Sequence, residues 1–401
     1  NSQNGGTTWT LMDWPATTET LSLGGSAQIG IHPGQQGSIH FALCADRVNA
    51  NLIYICGDRQ PGFGEVQLPT SIGSYSYSGR LFRGDASKGS GTQWTTITHS
   101  GTAGNSAPHP DGRVLALDVN GNLWNGNDGG IYKRNLPASA TGDWTSVNGN
   151  LQIAEIHSLA FDPVSRVISS GTQDNGSPRQ TSQGNPLWVD LVGGDGGYVT
   201  IDTLATLGFS VSYASAQNLG GLTRFTFNSA GTQLSSASVL LSVTNGSALS
   251  PSFYTPIKAN LVAGGRLVIA AANSVYESFD KGDHLKEIGP GLANGQGIAY
   301  GGVSGGVTNA NVLYVGIGNA VYARTNGTGN LAVTPANFPG GSVRDLVMDP
   351  QDWKRLYVVS ASAVYLSTNA GGSWINITGN LPNGSEFFSV QVIANPTLGA
   401  G

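Results

Sequence analysis

The sequence predicts an all-β protein, a β-propeller of four-stranded antiparallel blades, on three observations. The chain has 401 residues, of which 59 are Gly and only 11% are charged. Short apolar strands recur along it, separated by turn sequences rich in Gly, Asn and Asp. A turn motif of fixed spacing also repeats three times. Repeats of this kind predict a single body of many similar units, whereas length alone would suggest two or three unrelated domains.

The repeated turn has the form S-x-D/N-x-G-x-x-W/L. It lies at residues 2–9, 278–285 and 367–374, and Leu285 takes the place of the aromatic residue in the second copy. The third side chain can cap the turn, Gly supplies a positive φ, and the aromatic residue packs between neighbouring sheets. The motif therefore predicts turns at the rim of a propeller and says almost nothing about function.

A pattern of four strands recurs around these turns. One unit has its first strand at residues 346–350, its second at 355–360 and its third at 362–367. Its fourth strand, at 373–381, nearly repeats the sequence of residues 143–151. Units of this length fit propeller blades of about 40–50 residues. The approximate limits of the seven complete blades are 36–99, 106–150, 153–192, 195–245, 250–290, 295–340 and 342–381.

Terminal remnants at residues 1–12 and 386–401 lie outside the seven blades. The first carries a turn motif that leads into a fourth strand, and residues 386–394 resemble a first strand. Together they predict a partial eighth blade formed by the termini. Either these ends meet and close the ring, or the chain is a segment of a longer polypeptide with further blades. We favour the second interpretation, because the chain starts inside a turn motif.

Composition excludes several classes of protein. Disordered chains combine low hydrophobicity with high charge, whereas 39% of these residues are apolar. The net charge is −5, and no cluster of Lys and Arg is long enough to indicate a nucleic-acid partner. No apolar run approaches the ~20 residues of a membrane-spanning helix. We therefore expect neither a nucleic-acid partner nor a membrane span.

The two cysteines, Cys44 and Cys56, lie in two strands joined by a polar turn. Antiparallel pairing about that turn could bring their side chains opposite each other, which predicts a cross-strand disulfide. The alternative is a pair of buried thiols in core strands. No spacing of His and Cys supports a zinc site.

The middle of the chain carries a more specific resemblance. Its segments are HPDGRVLALDVNGNLWNGNDGGIYKRN (109–135), GNLQIAEIHSLAFDP (149–163), GTQDNG (171–176) and GGDGGYVTID (193–202). They resemble the secreted bacterial Asp-box, or BNR-repeat, propellers, a sialidase-like and sortilin-like group of unproven activity. The similarity covers most of the chain. It implies the propeller fold and a secreted, extracellular or cell-surface setting, but it carries over no reaction.

Polar side chains cluster in loops that enter first strands or leave second strands, where propellers usually bind ligands. The candidates are His109, Asp111, Arg113, Asp128, Glu155, His157, Gln173, Asp174 and Asp195, and His40 takes the equivalent place in the first blade. Carboxylates with a few His suit the hydroxyls of a sugar or a calcium ion, whose candidate ligands are Asp128, Asp174 and Asp195. Paired carboxylates can also hydrolyse glycosides. The same D-G-G and D-N-G sequences are good turns, in which Asp bonds only backbone amides.

The sequence therefore predicts an extracellular, glycan-directed propeller that binds or cleaves a polysaccharide or glycoprotein glycan. Sialidase activity is not expected, because the R-I-P strand of sialidases is missing. The alternative is a cell-surface structural or protein-interaction module without catalysis, an adhesin, sheath or filament component that contacts other surface proteins. A lyase with His109 or His157 as base ranks third. Whether the chain is an enzyme stays open, and no catalytic residue is assigned.

Overall fold

The computed structural model describes residue 2 and residues 6–381, 386–395 and 399–400. Within these residues the chain is all-β, with 33 strands and two 3-10 turns, His99–Gly101 and Gln217–Leu219. It divides into two compact units, Asn1–Ile153 and Ala154–Gly401. In the described ranges, no helix has the length and apolar character needed to cross a bilayer.

The first unit contains a two-stranded hairpin and two four-stranded blades. Its strands are β1 (Thr17–Thr20), β2 (Ser26–Ile29), β3 (Ala42–Ala45), β4 (Leu52–Arg59), β5 (Gly79–Asp85), β6 (Trp94–Thr96), β7 (Gly112–Leu117), β8 (Leu123–Asn127), β9 (Gly130–Arg134) and β10 (Trp144–Ser146). The first blade is β3-β4-β5-β6 and the second is β7-β8-β9-β10, each an antiparallel sheet whose strands follow chain order.

The second unit contains five further blades and a short sheet near the C-terminus. Its strands are β11 (Ile156–Asp162), β12 (Val167–Thr172), β13 (Pro178–Gln180), β14 (Trp188–Asp190), β15 (Thr200–Asp202), β16 (Ser210–Ala214), β17 (Thr223–Phe227), β18 (Gln233–Ser238), β19 (Ser242–Asn245), β20 (Ile257–Ala259), β21 (Leu267–Ala270), β22 (Val275–Ser278), β23 (His284–Glu287), β24 (Ile298–Ser304), β25 (Val307–Ile317), β26 (Ala320–Arg324), β27 (Ala332–Val333), β28 (Val343–Met348), β29 (Leu356–Ser360), β30 (Val364–Ser367), β31 (Ile375–Asn376), β32 (Ala394–Asn395) and β33 (Gly399–Ala400).

Six four-stranded sheets and one five-stranded sheet, each with four antiparallel strands in chain order, confirm the predicted fold of propeller blades. The third, fourth, fifth, sixth and seventh blades are β11–β14, β15–β18, β20–β23, β24–β27 and β28–β31. The fifth blade gains an additional strand, because β19 pairs in parallel with β23. We expected the residues of β19 in the fourth blade, but Leu241 and Ser242 donate to the carbonyls of Gly282 and Asp283 at the edge of the fifth.

Each end of the chain contributes a two-stranded sheet, β1–β2 and β32–β33. We call the repeated S-x-D/N-x-G-x-x-W/L turn the Asp-box turn. In the copy at residues 2–9, residues 3–5 lie outside the described residues, and Gly6 N–H donates to Ser2 Oγ at 2.8 Å. Residues 386–393 form no strand, which differs from the sequence prediction. The backbone N–H of Phe387 donates to Ala361 O at 2.9 Å, and that of Val390 donates to the Asp345 carboxylate at 3.0 Å. These single bonds, rather than a ladder, hold the segment against the seventh blade.

Burial follows the position of each strand within its blade. The second strands β16 and β21 are buried along their whole length, whereas the fourth strand β18 is exposed along its whole length. Tyr213 of the fourth blade packs in one apolar cluster with Ile269 of the fifth blade. The core of the second unit therefore lies between the faces of adjacent blades, which explains why inner strands read as continuous apolar runs.

The other two Asp-box turns fall wholly within the described residues and use the capping that the motif predicts. In the seventh blade, Ser367 Oγ accepts a hydrogen bond from Gly371 N–H at 2.8 Å, and Asn369 Oδ1 accepts one from Ser373 N–H at 2.9 Å. Gly371 has a φ of +82°. The turn at residues 278–285 makes the same two bonds. The motif thus closes a turn through its own side chains.

The predicted disulfide is wrong, because Cys44 and Cys56 are free thiols. In the β3–β4 ladder, Cys44 lies opposite Tyr54, and Ala42 lies opposite Cys56. Asp46 fixes this register, since it accepts hydrogen bonds from the connecting turn and from the Tyr54 hydroxyl. Cys56 is buried, and burial raises the pKa of its thiol to about 11. Cys44 is half-buried, so only one cysteine fits the alternative of buried thiols.

Candidate functional site

The predicted site residues fall into two groups, one in each unit. The first unit holds His40, His109, Asp111, Arg113 and Asp128, and the second holds Glu155, His157, Gln173, Asp174 and Asp195. The proposed calcium ligands therefore come from both units, and that ligand set stays a prediction.

In the second unit, Gln173 connects two carboxylates. Its Nε2 donates to Asp195 Oδ1 at 2.6 Å and to Asp174 Oδ1 at 3.0 Å. Its Oε1 accepts a hydrogen bond from the Tyr254 hydroxyl and lies 3.2 Å from His157 Nε2. The backbone N–H of Gln173 donates to the carbonyl of Glu155. We call these six residues the Gln173 cluster: Glu155, His157, Gln173, Asp174, Asp195 and Tyr254.

Close backbone packing positions the two carboxylates of the Gln173 cluster. The GTQDNG and GGDGG segments meet where Gly196 N–H donates to Thr172 O at 3.0 Å. A Cβ on Gly196 would lie 2.0 Å from Gly176 O, so only glycine fits there. Asp174 itself takes a left-handed φ of 59°, a conformation that favours Gly or Asn. These motifs are therefore turns with a structural requirement, and they also place Asp174 beside Asp195.

Tyr254 gives the Gln173 cluster an aromatic side. Its ring lies over His157 with centroids 3.8 Å apart, and Phe253 meets it edge-on at 4.7 Å. Phe253 is 46% exposed. Burial, followed by the negative charges of Asp195 and Glu155, raises the pKa of Tyr254 to about 12. The phenol therefore stays protonated at neutral pH and donates its hydrogen bond to Gln173.

Sequence reasoning missed Tyr254 and Phe253. They lie in the loop that precedes β20, the first strand of the fifth blade. That position is equivalent to the loops from which the other candidates were chosen, so an aromatic pair there was the available signal. Tyr254 is separated from Gln173 by 81 residues, and no local motif links them.

In the first unit, Asp111 and Asp128 lie beside a buried histidine. His40 Nε2 is 3.7 Å from Asp111 Oδ1, and the ligand atoms of His40, Asp111 and Asp128 all lie within 4.8 Å of one another. Arg113 donates from Nε and Nη2 to the two oxygens of Asp128, at 2.5 and 3.1 Å. This hydrogen-bonded carboxylate raises the pKa of Arg113. We call His40, Asp111, Arg113 and Asp128 the His40 cluster.

His109 and Glu155 contact the loops that form the two clusters. The ring of His109 packs over Gly129, where an added Cβ would lie 2.2 Å from its Cγ. Its Nδ1 is 3.4 Å from the carbonyl of Pro110. Glu155 contributes its backbone carbonyl to Gln173 and its charge to the surroundings of Tyr254. Both residues thus support the loops around the two clusters.

No family model matches the sequence, and no curated protein matches it. Among solved structures, the chain is similar to Sqt1 of Saccharomyces cerevisiae, at 12% identity and a TM-score of 0.42, over 88% of this chain and 87% of that one. It is similar to YCF48 from Cyanidioschyzon merolae at 10% identity and a TM-score of 0.40, over 70% and 88%. The RRP9 WD40 repeats match at 10% identity and a TM-score of 0.42, over 71% and 83%. The fold assignment rests on the seven sheets themselves.

Proposed function

We propose that the protein is an extracellular or cell-surface propeller that binds carbohydrate at the Gln173 cluster. One observation carries the proposal: a partly exposed aromatic pair, Phe253 and Tyr254, lies directly beside the carboxylates that Gln173 holds. A sugar ring has an apolar face of C–H groups and an edge of hydroxyls. An aromatic ring suits the face, and carboxylate or amide oxygens suit the hydroxyls.

The arrangement favours binding over cleavage. Glycoside hydrolysis requires one carboxylic acid that gives its proton to the leaving oxygen. Asp174 and Asp195 instead both accept hydrogen bonds from one nitrogen, Nε2 of Gln173, and Asp195 Oδ1 also accepts from the backbone N–H of Asp174. The two side chains thus present hydrogen-bonded acceptor oxygens side by side, and such oxygens are what sugar hydroxyls bind. The resemblance to secreted Asp-box propellers supports the extracellular setting.

Carbohydrate binding is tested on a polysaccharide and glycan array, followed by calorimetric titration of the best ligand. We expect Phe253→Ala and Gln173→Ala each to weaken binding at least about tenfold. The first removes an aromatic face for the sugar ring, and the second removes the donor that holds the two carboxylates, since a hydrogen bond to a charged group contributes about 1.5–3 kcal/mol. Phe279→Ala is the matched control, because Phe279 is 48% exposed and lies in an Asp-box turn of the fifth blade. We expect it to bind like the unaltered protein.

Two results would contradict the proposal. One is the absence of binding to every glycan on the array, which would favour the structural or protein-interaction module as the function. The other is a glycan that binds Phe253→Ala and Gln173→Ala as tightly as the unaltered protein, which would place the glycan site elsewhere on the chain.

A further inference from the structure

We propose that the first unit binds a divalent transition-metal ion between His40, Asp111 and Asp128. These three side chains come from different segments: the loop before β3, the loop before β7, and the turn between β8 and β9. Their ligand atoms nevertheless converge to within 4.8 Å of one another. Convergence of one imidazole and two carboxylates from separate loops is the arrangement that a metal centre requires.

His40 provides an independent indication that a ligand belongs here. The residue is 2% exposed, and its Nδ1 has no hydrogen-bond partner among the residues that the structure describes. Its Nε2 lies 3.7 Å from Asp111 Oδ1, beyond hydrogen-bonding distance. A buried polar group without a hydrogen bond costs free energy, so native proteins rarely leave one. Nδ1 is the ring atom without a hydrogen bond, whereas Nε2 faces Asp111 and would be the ligand of an ion. The burial of this imidazole beside a carboxylate is therefore what indicates a ligand here.

The ligand types select the kind of metal. Calcium takes oxygen ligands, whereas imidazole suits zinc, copper, iron and nickel. Zinc lies about 2.0–2.2 Å from His nitrogen and carboxylate oxygen. A separation of 3.7 Å between His40 Nε2 and Asp111 Oδ1 fits two ligands of one such ion. Asp128 would have to move closer by a few tenths of an ångström. This site differs from the predicted calcium set, which had no histidine.

Arg113 competes with the ion for Asp128. In the structure its guanidinium takes both oxygens of that carboxylate, and its side chain is 53% exposed. An exposed ion pair of this kind contributes little in water, so solvent can take up the displaced guanidinium. Arg113 therefore balances the charge of Asp128 when the ion is absent and weakens the affinity for the ion.

The backbone holds Asp111 in place before any ion arrives. Asp111 has a left-handed φ of 62°, and its N–H donates to Asp58 O at 3.1 Å. A Cβ on the next residue, Gly112, would lie 2.7 Å from Cys56 Sγ, so the turn packs closely on the first blade. A strained residue fixed by its surroundings is typical of positions that orient a functional group.

The test is a titration of the metal-free, tag-free full chain with Co²⁺, read by d–d absorption, and with Zn²⁺, read by calorimetry. We expect a single ion per chain with a spectrum of nitrogen and oxygen ligation. His40→Gln and Asp111→Asn should each weaken binding at least about tenfold. Asp174→Asn is the matched control, because Asp174 also has a left-handed φ but belongs to the Gln173 cluster. It should leave the affinity unchanged.

Arg113→Ala keeps the proposal falsifiable if the variants of His40 or Asp111 fail to fold. It removes the competitor of the ion from a mostly exposed position, and we expect it to tighten binding severalfold. The proposal is overturned if the unaltered chain gives no Co²⁺ absorption, if folded His40→Gln binds as tightly as the unaltered chain, or if Arg113→Ala does not tighten binding.

Discussion

Tyr254 is the residue of the Gln173 cluster whose chemistry depends most on its neighbours. Burial and the charges of Asp195 and Glu155 oppose the phenolate and raise its pKa to about 12, against about 10 for an exposed tyrosine. The folded pKa therefore exceeds the unfolded one. The resulting contribution to stability is complete below about pH 10, and it is lost as the pH rises through 12.

A spectrophotometric titration at the phenolate band measures this effect at the residue scale. The difference between the unaltered protein and Tyr254→Phe should show one tyrosine that ionises near pH 12. Asp195→Asn should lower that pKa, because it removes one of the two largest charges acting on the phenol. Asp280→Asn, in an Asp-box turn, should leave it unchanged. Ionisation of Tyr254 near pH 10 would show that its ring is not buried against the cluster.

Among the elements of the fold, the Asp-box turn joins sequence to structure most directly. Ser367 is 1% exposed, and its Oγ is the acceptor for the buried N–H of Gly371. Ser367→Ala leaves that donor without its partner, so we expect a loss of about 1–3 kcal/mol in the free energy of unfolding. Urea denaturation gives the value. Ser235→Ala, on the exposed strand β18, should change it by less than about 0.5 kcal/mol. If both variants lost the same free energy of unfolding, the hydrogen bond from Gly371 to Ser367 would not stabilise the turn.

Strands and turns were predictable because their causes are local. Apolar alternation and the Gly and Asn of each turn act within a few residues, so seven blades could be read from the sequence. The register of β3 on β4 was not predictable in this way, because it depends on Asp46 and the turn it closes. Tyr254 was missed for a related reason, since its contact with Gln173 joins loops of different blades.

Contacts between distant loops also determine how the candidate residues group, so the two clusters could not be predicted from the sequence. The sequence identified Asp128, Asp174 and Asp195 as one set of metal ligands, because all three stand in loops that leave a second strand or enter a first strand. Such loop positions do not determine which side chains meet. Asp128 pairs with Arg113, while Asp174 and Asp195 share Gln173. The partner of each carboxylate is a matter of tertiary packing, which the strand pattern does not encode.

Across the whole molecule, charge is scarce, and a good part of it is buried. Only 11% of the residues are charged, yet Arg179 and Asp162 form an ion pair with 2% and 0% of their side chains exposed. In the second unit, Glu277 of the fifth blade joins Arg324 of the sixth blade in a similar pair. Such pairs are specific in geometry, since each guanidinium needs its carboxylate. The pair of Glu277 with Arg324, which joins two blades, therefore helps to fix which blade faces which.

Glu277 offers the strongest test of the idea that buried ion pairs fix the contacts between blades. Its carboxylate, with 0% of the side chain exposed, accepts hydrogen bonds from both terminal nitrogens of Arg324 at 2.7 Å, from Arg266 at 2.8 Å and from the Tyr300 hydroxyl at 2.5 Å. Burial alone would raise the pKa of Glu277, but the hydrogen bonds from Arg324 and Tyr300 outweigh it and hold the pKa below its usual value. The pKa of Glu277 is thus lower in the folded chain than in the unfolded chain. Its contribution to stability is present above about pH 4.3 and is lost as the pH falls through the folded pKa.

Glu277→Gln keeps the shape of the side chain but leaves the buried guanidinium of Arg324 and the partly buried one of Arg266 without their counter-charge. We expect it to lower the free energy of unfolding by about 3–5 kcal/mol at neutral pH. Because the group that titrates is gone, the variant should also lose less stability than the unaltered protein between about pH 5 and pH 3. Glu65→Gln is the control, since the Glu65 side chain is 40% exposed in its ion pair with Arg59 and the change should alter stability by less than about 1 kcal/mol. If the two variants were equally stable at neutral pH, the contact between the fifth and sixth blades would owe its stability to apolar packing alone.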